Sequence, residues 1–175
     1  MSTRSLPIYK PAPTVLDDVP PIAPHSDCTL CTHSAGKGKS CLGLDGEMGG
    51  LLVVDSFPSR AEMAARRPLL SPIGQRLRKL ASTFDMPVAY AHALRCAPKY
   101  PSDTAVALAP ALDECRVYLA HALQSVKPTK IIALGAPAIY ALTGCAVTPA
   151  TTRKGLAWLN LDHGWVPVHY CVSTA

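Results

Sequence analysis

The 175-residue chain is poor in aromatic side chains, in charge and in long apolar runs. Aromatic residues make up 6% of it and charged residues 17%, against roughly 25% charged in ordinary soluble domains. With 49% of residues hydrophobic, so little charge excludes a chain kept disordered by solvation and self-repulsion. No apolar run approaches the roughly 18 residues of a membrane span, so no membrane association is expected. Residues 1–13 are polar and broken by Pro7, Pro11 and Pro13, without the apolar stretch of a secretion signal. A disulfide framework is therefore not expected, and the expected location is cytoplasmic. The length suits one domain that can bury its own core, with residues to spare for a tail or insertion. The net charge of +5 suits an anionic partner.

What is present divides the chain. Residues 1–27 hold six prolines, each lacking a backbone donor and fixing φ, and read as an extended arm ahead of one domain over 28–175. Residues 27–50 are loop-rich, with Cys28, Cys31, Cys41 and six glycines. Leu51-Leu52-Val53-Val54 is a short continuous apolar run between Gly49-Gly50 and Asp55-Ser56. It reads as a strand buried on both faces of a parallel sheet. Residues 73–84 place Ile73, Leu77, Leu80 and Phe84 at helical spacing, and 108–126 do the same with Leu108, Leu112, Cys115, Leu119 and Val126. Pro110 is expected in the first turn of the second helix. Val88–Leu94, Lys130–Leu134 and Val166–Tyr170 read as further strands, and a short helix over 137–142 stops at Gly144. Strands alternating with helices predict an α/β fold with a mainly parallel sheet. Ligands on such sheets bind at the carboxyl ends of the strands, which directs attention to Asp55–Ser59, Leu94–Lys99, Gly135–Pro137 and Tyr170–Ser173.

The seven cysteines carry the most specific chemistry. Cys28-x2-Cys31 brings two thiolates onto one turn, a spacing that chelates zinc or an iron–sulfur cluster. The second C-x2-C of a zinc ribbon is missing. Cys96 follows a predicted strand and Cys115 lies on an apolar helix face, where it is either a ligand or a small core residue. Cys41 is a spare candidate ligand; Cys145 and Cys171 read as core or near-surface thiols. Gly38-Lys39-Ser40 imitates the end of a phosphate-binding loop. The glycine such a loop needs five residues earlier is His33, and no strand precedes it.

Taken in order, several segments resemble the uracil-DNA glycosylase superfamily, in particular its iron–sulfur family 4. Cys28-x2-Cys31 precedes the first strand, and Asp55-Ser56-Phe57-Pro58-Ser59 stands where the family has GEAPG. Residues 67–75, RPLLSPIGQ, are similar to RPFVGRAGQ, and 92–98, HALRCAP, to NVVKCRP. ECRVYL over 114–119 is similar to ACRPYL, and KPTKIIALG over 127–135 to RPRVIVALG. The resemblance implies a single three-layer α/β/α domain with a [4Fe-4S] cluster on Cys28, Cys31, Cys96 and Cys115. It also implies DNA as the partner, single-stranded or presenting a flipped base, and a place in DNA repair.

The positions that carry the family's chemistry differ here. Its GEAPG glutamate becomes Ser56, with Asp55 beside it as the nearest carboxylate. Phe57 and Leu69 fall in the base pocket, Leu69 replacing an aromatic residue that stacks on the base. The asparagine that reads the uracil edge becomes His92, and the histidine of the closing HPS motif becomes Cys171. His169 would share a strand face with Cys171, and Glu62 occupies an acidic position also present in the family, or is simply a solvated surface acid. Arg66, Arg67, Arg76, Arg78 and Lys79 either contact phosphates or form a solvated helix face. The chain ends just after the last strand, where relatives continue with loop and helix, so the expectation is either that a partner chain completes that edge or that the pocket is open. Three functions fit. The first is a cluster-bearing, DNA-binding protein without ordinary uracil excision. The second is an active N-glycosylase with a rewired pocket for uracil or a modified base. The third is a zinc- or cluster-stabilised protein-interaction subunit.

Overall fold

The computed structural model describes residues 8–9, 27–28, 31, 39–98, 105–144 and 155–171. Its centre is β5 (Leu51–Asp55), buried along its whole length as its continuous apolar run requires. The strand extends one residue past the apolar run, to Asp55. On either side β5 pairs in parallel with β6 (Val88–His92) and β7 (Lys130–Leu134). Beyond β7 lies β9 (Gly164–Cys171), also parallel, which forms an antiparallel hairpin with β8 (Gly155–Leu161). The edges are β1 (Ile8–Tyr9), parallel to β8, and β4 (Asp45–Gly46), antiparallel to β6. The sheet order is β1-β8-β9-β7-β5-β6-β4, and β2 (Asp27–Cys28) and β3 (Lys39–Ser40) form a separate antiparallel ribbon. The expected α/β class and mainly parallel sheet are present.

Alternate residues of the strands feed two cores. On one face Leu52, Val54, Ala89, Ala91, Ile131 and Ala133 pack with α3 (Ala105–Val126) and α4 (Ala136–Thr143). On the other, Leu51, Val53, Tyr90 and Leu134 pack with Leu69 and with Leu77 and Ala81 of α2 (Pro72–Ala81). The short helix α1 (Arg60–Ala65) connects β5 to the loop before α2. In α3 the residues Leu108, Leu112, Cys115, Leu119 and Val126 are buried as their spacing predicts. That helix starts at Ala105, so Pro110 lies inside it rather than in its first turn.

Three expectations are corrected. The proposed apolar face of α2 points largely outward, with Ile73 and Leu80 each 57% exposed and Phe84, beyond the helix end, 43% exposed. Small residues decide the packing there. A Cβ on Gly74 would stand 2.8 Å from the Leu69 backbone, so the helix turns its glycine, not Ile73, to that loop. The last strand is longer than expected and has β8 as an antiparallel partner. Within that hairpin Gly155 lies under the Tyr170 ring, where a Cβ would be 1.8 Å away. Ile8 and Tyr9, in the stretch read as an arm, belong to the sheet; the rest of residues 1–26 and Cys145 lie outside the described residues.

Candidate functional site

Parallel register brings distant residues into one row. Asp55 pairs with His92 on β6 and with Leu134 on β7, and Leu134 pairs with Cys171 on β9. His92, Asp55, Leu134 and Cys171 therefore stand side by side across four adjacent strands, at their carboxyl ends and on the α2 face. The ladder continues past the strands through Ala93 N–H to Asp55 C=O (2.8 Å) and Gly135 N–H to Cys171 C=O (2.8 Å). Asp55, His92 and Cys171, between 37 and 116 residues apart in sequence, meet here because neighbouring strands lie only about 4.8 Å apart.

The row is electrostatically uneven. His92 is 5% exposed, and neither ring nitrogen has a hydrogen-bond partner. Burial lowers its pKa, helped by the Arg78 charge and opposed by the Asp55 and Glu62 carboxylates. The imidazole is therefore neutral near pH 7, with one donor and one acceptor unused. Burial raises the Cys171 thiol, and the Asp55 charge adds to the rise, so the sulfur keeps its proton. Ser56 donates its hydroxyl to Leu134 C=O at 2.9 Å, while its N–H donates to Asp55 Oδ1 at 2.8 Å. That hydroxyl ties β5 to β7 and leaves Asp55 as the carboxylate of the row.

The two residues expected to line a base pocket sit elsewhere. Phe57 packs against the core on the α3 face, opposite the row. Leu69 is fully buried in the α2-side core at φ 58°, so it presents no surface on which a base can rest. His169 shares the α2 face with Cys171, as period two predicts. It is one row back and exposed, lining a cleft of about 510 Å³ with Leu51, Phe84 and Ile132.

Glu62 is not a solvated surface acid, being 5% exposed. Its Oε2 accepts from Ser59 N–H (2.7 Å) and its Oε1 from Leu70 N–H (3.0 Å), while Ser59 Oγ accepts from Glu62 N–H. This capping box starts α1 and also fastens the loop before α2. Burial alone would raise the Glu62 pKa; the hydrogen bonds from Ser59 and Leu70 outweigh it and hold the carboxyl below its usual value. Of the basic residues, Arg66, Arg67, Arg76 and Lys79 are exposed. Arg78 is not available to phosphate. It pairs with Asp45, donates to Pro68 C=O (2.9 Å) and stacks 4.0 Å from the Tyr90 ring centroid.

On the opposite face of the sheet the cysteines gather. Cys28, Cys41, Cys96 and Cys115 are all at most 7% exposed in one core cluster, with Cys31 and Tyr118 packed against it. Cys115 lies in the field of Cys96, Cys31 and Cys28 and receives the Arg95 backbone N–H. Cys41 hydrogen-bonds Cys28 and lies in the field of Cys96. Burial, then mutual repulsion, pushes both Cys41 and Cys115 up to about 12. A cation bound by such thiols would displace their protons. Two bonds hold the centre together: Leu42 N–H to Arg95 C=O at 2.7 Å and Arg95 Nε–H to Leu42 C=O at 3.0 Å.

Among the described residues, no three His, Cys, Asp or Glu side chains are arranged to hold one metal ion. An all-sulfur donor set fits an iron–sulfur group, in which each iron takes one cysteine and the ligands stand apart. Cys28, Cys31, Cys96 and Cys115 would be the four sulfurs offered to such a group, with Cys41 a fifth in the same cluster. Tyr118 was not singled out in sequence; its signal is its place one helical turn after Cys115, facing the same core. No family model matches the chain, and no curated protein sequence matches it significantly.

Proposed function

We propose that this chain is a uracil-DNA glycosylase-like, nucleic-acid-binding protein. Cys28, Cys31, Cys96 and Cys115 hold a [4Fe-4S] cluster, and the protein does not excise uracil in the ordinary way. The observation that carries this reading is the contrast within one fold. The thiols expected as ligands converge in a buried centre, whereas the serine in the carboxylate position spends its hydroxyl on Leu134. Leu69, where the resemblance asks for a stacking surface, is buried in the core. The cluster would fasten the β2–β3 ribbon, the end of β6 and α3 to one another, a structural role that asks no redox step of it. Exposed Arg66, Arg76 and Lys79 on the loop and helix beside the row supply phosphate contacts, which position nucleic acid without reading its sequence.

Asp55 and His92 favour a second reading as direct register partners: excision of another base, with Asp55 as the carboxylate and the unused His92 nitrogens on the base edge. One set of assays separates them. Fluorescence anisotropy with single-stranded and duplex oligonucleotides is expected to show affinity falling as salt rises. Arg76→Ala should reduce the logarithmic salt slope by about one. Oligonucleotides carrying uracil should yield no abasic sites on alkaline cleavage. Binding that is absent or insensitive to salt would overturn the DNA-binding reading. Abasic product from a modified base, lost in Asp55→Asn, would establish the second.

A further inference from the structure

Resting on the cluster assignment above, we propose that Cys28 is the tuned corner of the iron–sulfur site. It accepts side-chain hydrogen bonds from the Tyr118 hydroxyl and the Cys41 thiol, and these two donors raise the reduction potential of the group it helps to hold.

The Tyr118 hydroxyl lies 3.9 Å from Cys28 Sγ, and the Cys41 thiol is within hydrogen-bonding reach of the same sulfur. Both donors are held in place by the fold. Tyr118 follows Cys115 by three residues on α3, and the Arg95 guanidinium covers its ring at 4.4 Å from the centroid. Cys41 follows β3 two residues beyond Lys39, the register partner of Cys28, so strand alternation returns it to the face that Cys28 occupies. The next residue, Leu42, is fixed by its two bonds to Arg95, immediately before Cys96. Cys41 is 3% exposed, so water does not compete for its proton.

The direction of both bonds follows from the chemistry. A sulfur bonded to iron has no proton, so it can only accept; the phenol and the fifth, iron-free sulfur can only donate to it. Hydrogen bonds to a coordinating sulfur withdraw electron density and favour the more negative, reduced state of the group. Cys41 is thus a positioning residue that acts through Cys28, which accounts for a buried fifth thiol at a site with four corners.

The test compares wild type with Tyr118→Phe, Cys41→Ala and the double variant, each loaded with iron and sulfide. Iron is counted and the midpoint potential is measured by protein-film voltammetry. About four irons per chain are expected in all of them. The potential should become more negative in each single variant and more so in the double, and Cys41→Ser, which keeps a donor, should recover part of the shift. Unchanged potentials at full iron content would overturn the tuning and leave the cluster assignment standing. Iron loss in Cys41→Ala would overturn it by making Cys41 a ligand. Wild type that binds no iron would overturn both.

Discussion

The end of β6 faces two different environments. On the α2 side His92 stands beside Asp55 in the strand-end row, buried and with neither nitrogen bonded. Four residues on, Cys96 enters a centre on the α3 side where sulfurs, Tyr118, Arg95 and backbone donors are engaged with one another. The first arrangement leaves polar capacity unused inside the protein, at a cost of about 1–3 kcal/mol for each orphaned group. The second uses most of its capacity internally: Arg95 Nε–H donates to Leu42 C=O, although Arg95 Nη1 is buried without a hydrogen bond. The difference teaches that burial alone does not identify a functional group; what matters is whether the fold has already satisfied it.

The largest effect should come from the sulfur side. Cys115→Ser is expected to abolish the brown visible absorbance of iron-loaded protein. It should also lower stability by about 4 kcal/mol or more, the range of metal loss and core disruption. Cys171→Ser in the row should change stability by about 1 kcal/mol or less. Thermal melts of both variants check this, and equal losses would erase the distinction between the two regions.

A smaller effect belongs to Glu62, which supports the row without being part of it. Glu62→Ala leaves the Ser59 and Leu70 N–H groups without their acceptor and should cost about 2 kcal/mol in urea unfolding. Its sign with pH follows from the lowered pKa. The folded state holds the carboxylate more strongly than the unfolded chain does, so this stability is full above the unfolded value of about 4.3. It is lost as pH falls through the lower folded value. Glu62→Gln should flatten that acid limb, and an unchanged limb would refute the assignment.

The smallest effect is expected at His92, and it is opposite in sign. His92→Leu removes two unpartnered nitrogens and should stabilise the protein by about 1 kcal/mol at pH 7. In wild type the folded imidazole resists protonation, so the unfolded state binds more protons below about pH 6.5. Stability should therefore fall as pH drops from there towards the lowered folded value, and His92→Leu should lack that slope. Destabilisation at pH 7 would mean that the imidazole is satisfied in solution and that the row is as engaged as the thiol centre.

Much of this architecture was legible in sequence where a pattern is local. The run Leu51–Val54 specifies a doubly buried strand, and the spacing from Leu108 to Val126 specifies the buried face of α3. The cysteines and the row candidates were legible as residue types. What they touch was not. The apolar positions of α2 were misread because a close approach at Gly74, not hydrophobicity, sets its rotation. Leu69 and Phe57 were plausible pocket residues by position, yet both are spent on cores. Glu62 read either as a family acidic position or as a solvated acid; the S-x-x-E spacing of Ser59 and Glu62 is a legible capping-box signal, whereas its second bond, from Leu70 N–H, has none.

By itself the sequence determined the α/β class, the central strand, the long helix and the supply of sulfur donors, because periodicity and composition act over a few neighbouring residues. Tertiary structure alone decided that Asp55, His92 and Cys171 form one row on one face and that five cysteines meet on the other. Parallel register and the Leu42–Arg95 bonds join segments tens of residues apart, and no local pattern encodes that pairing.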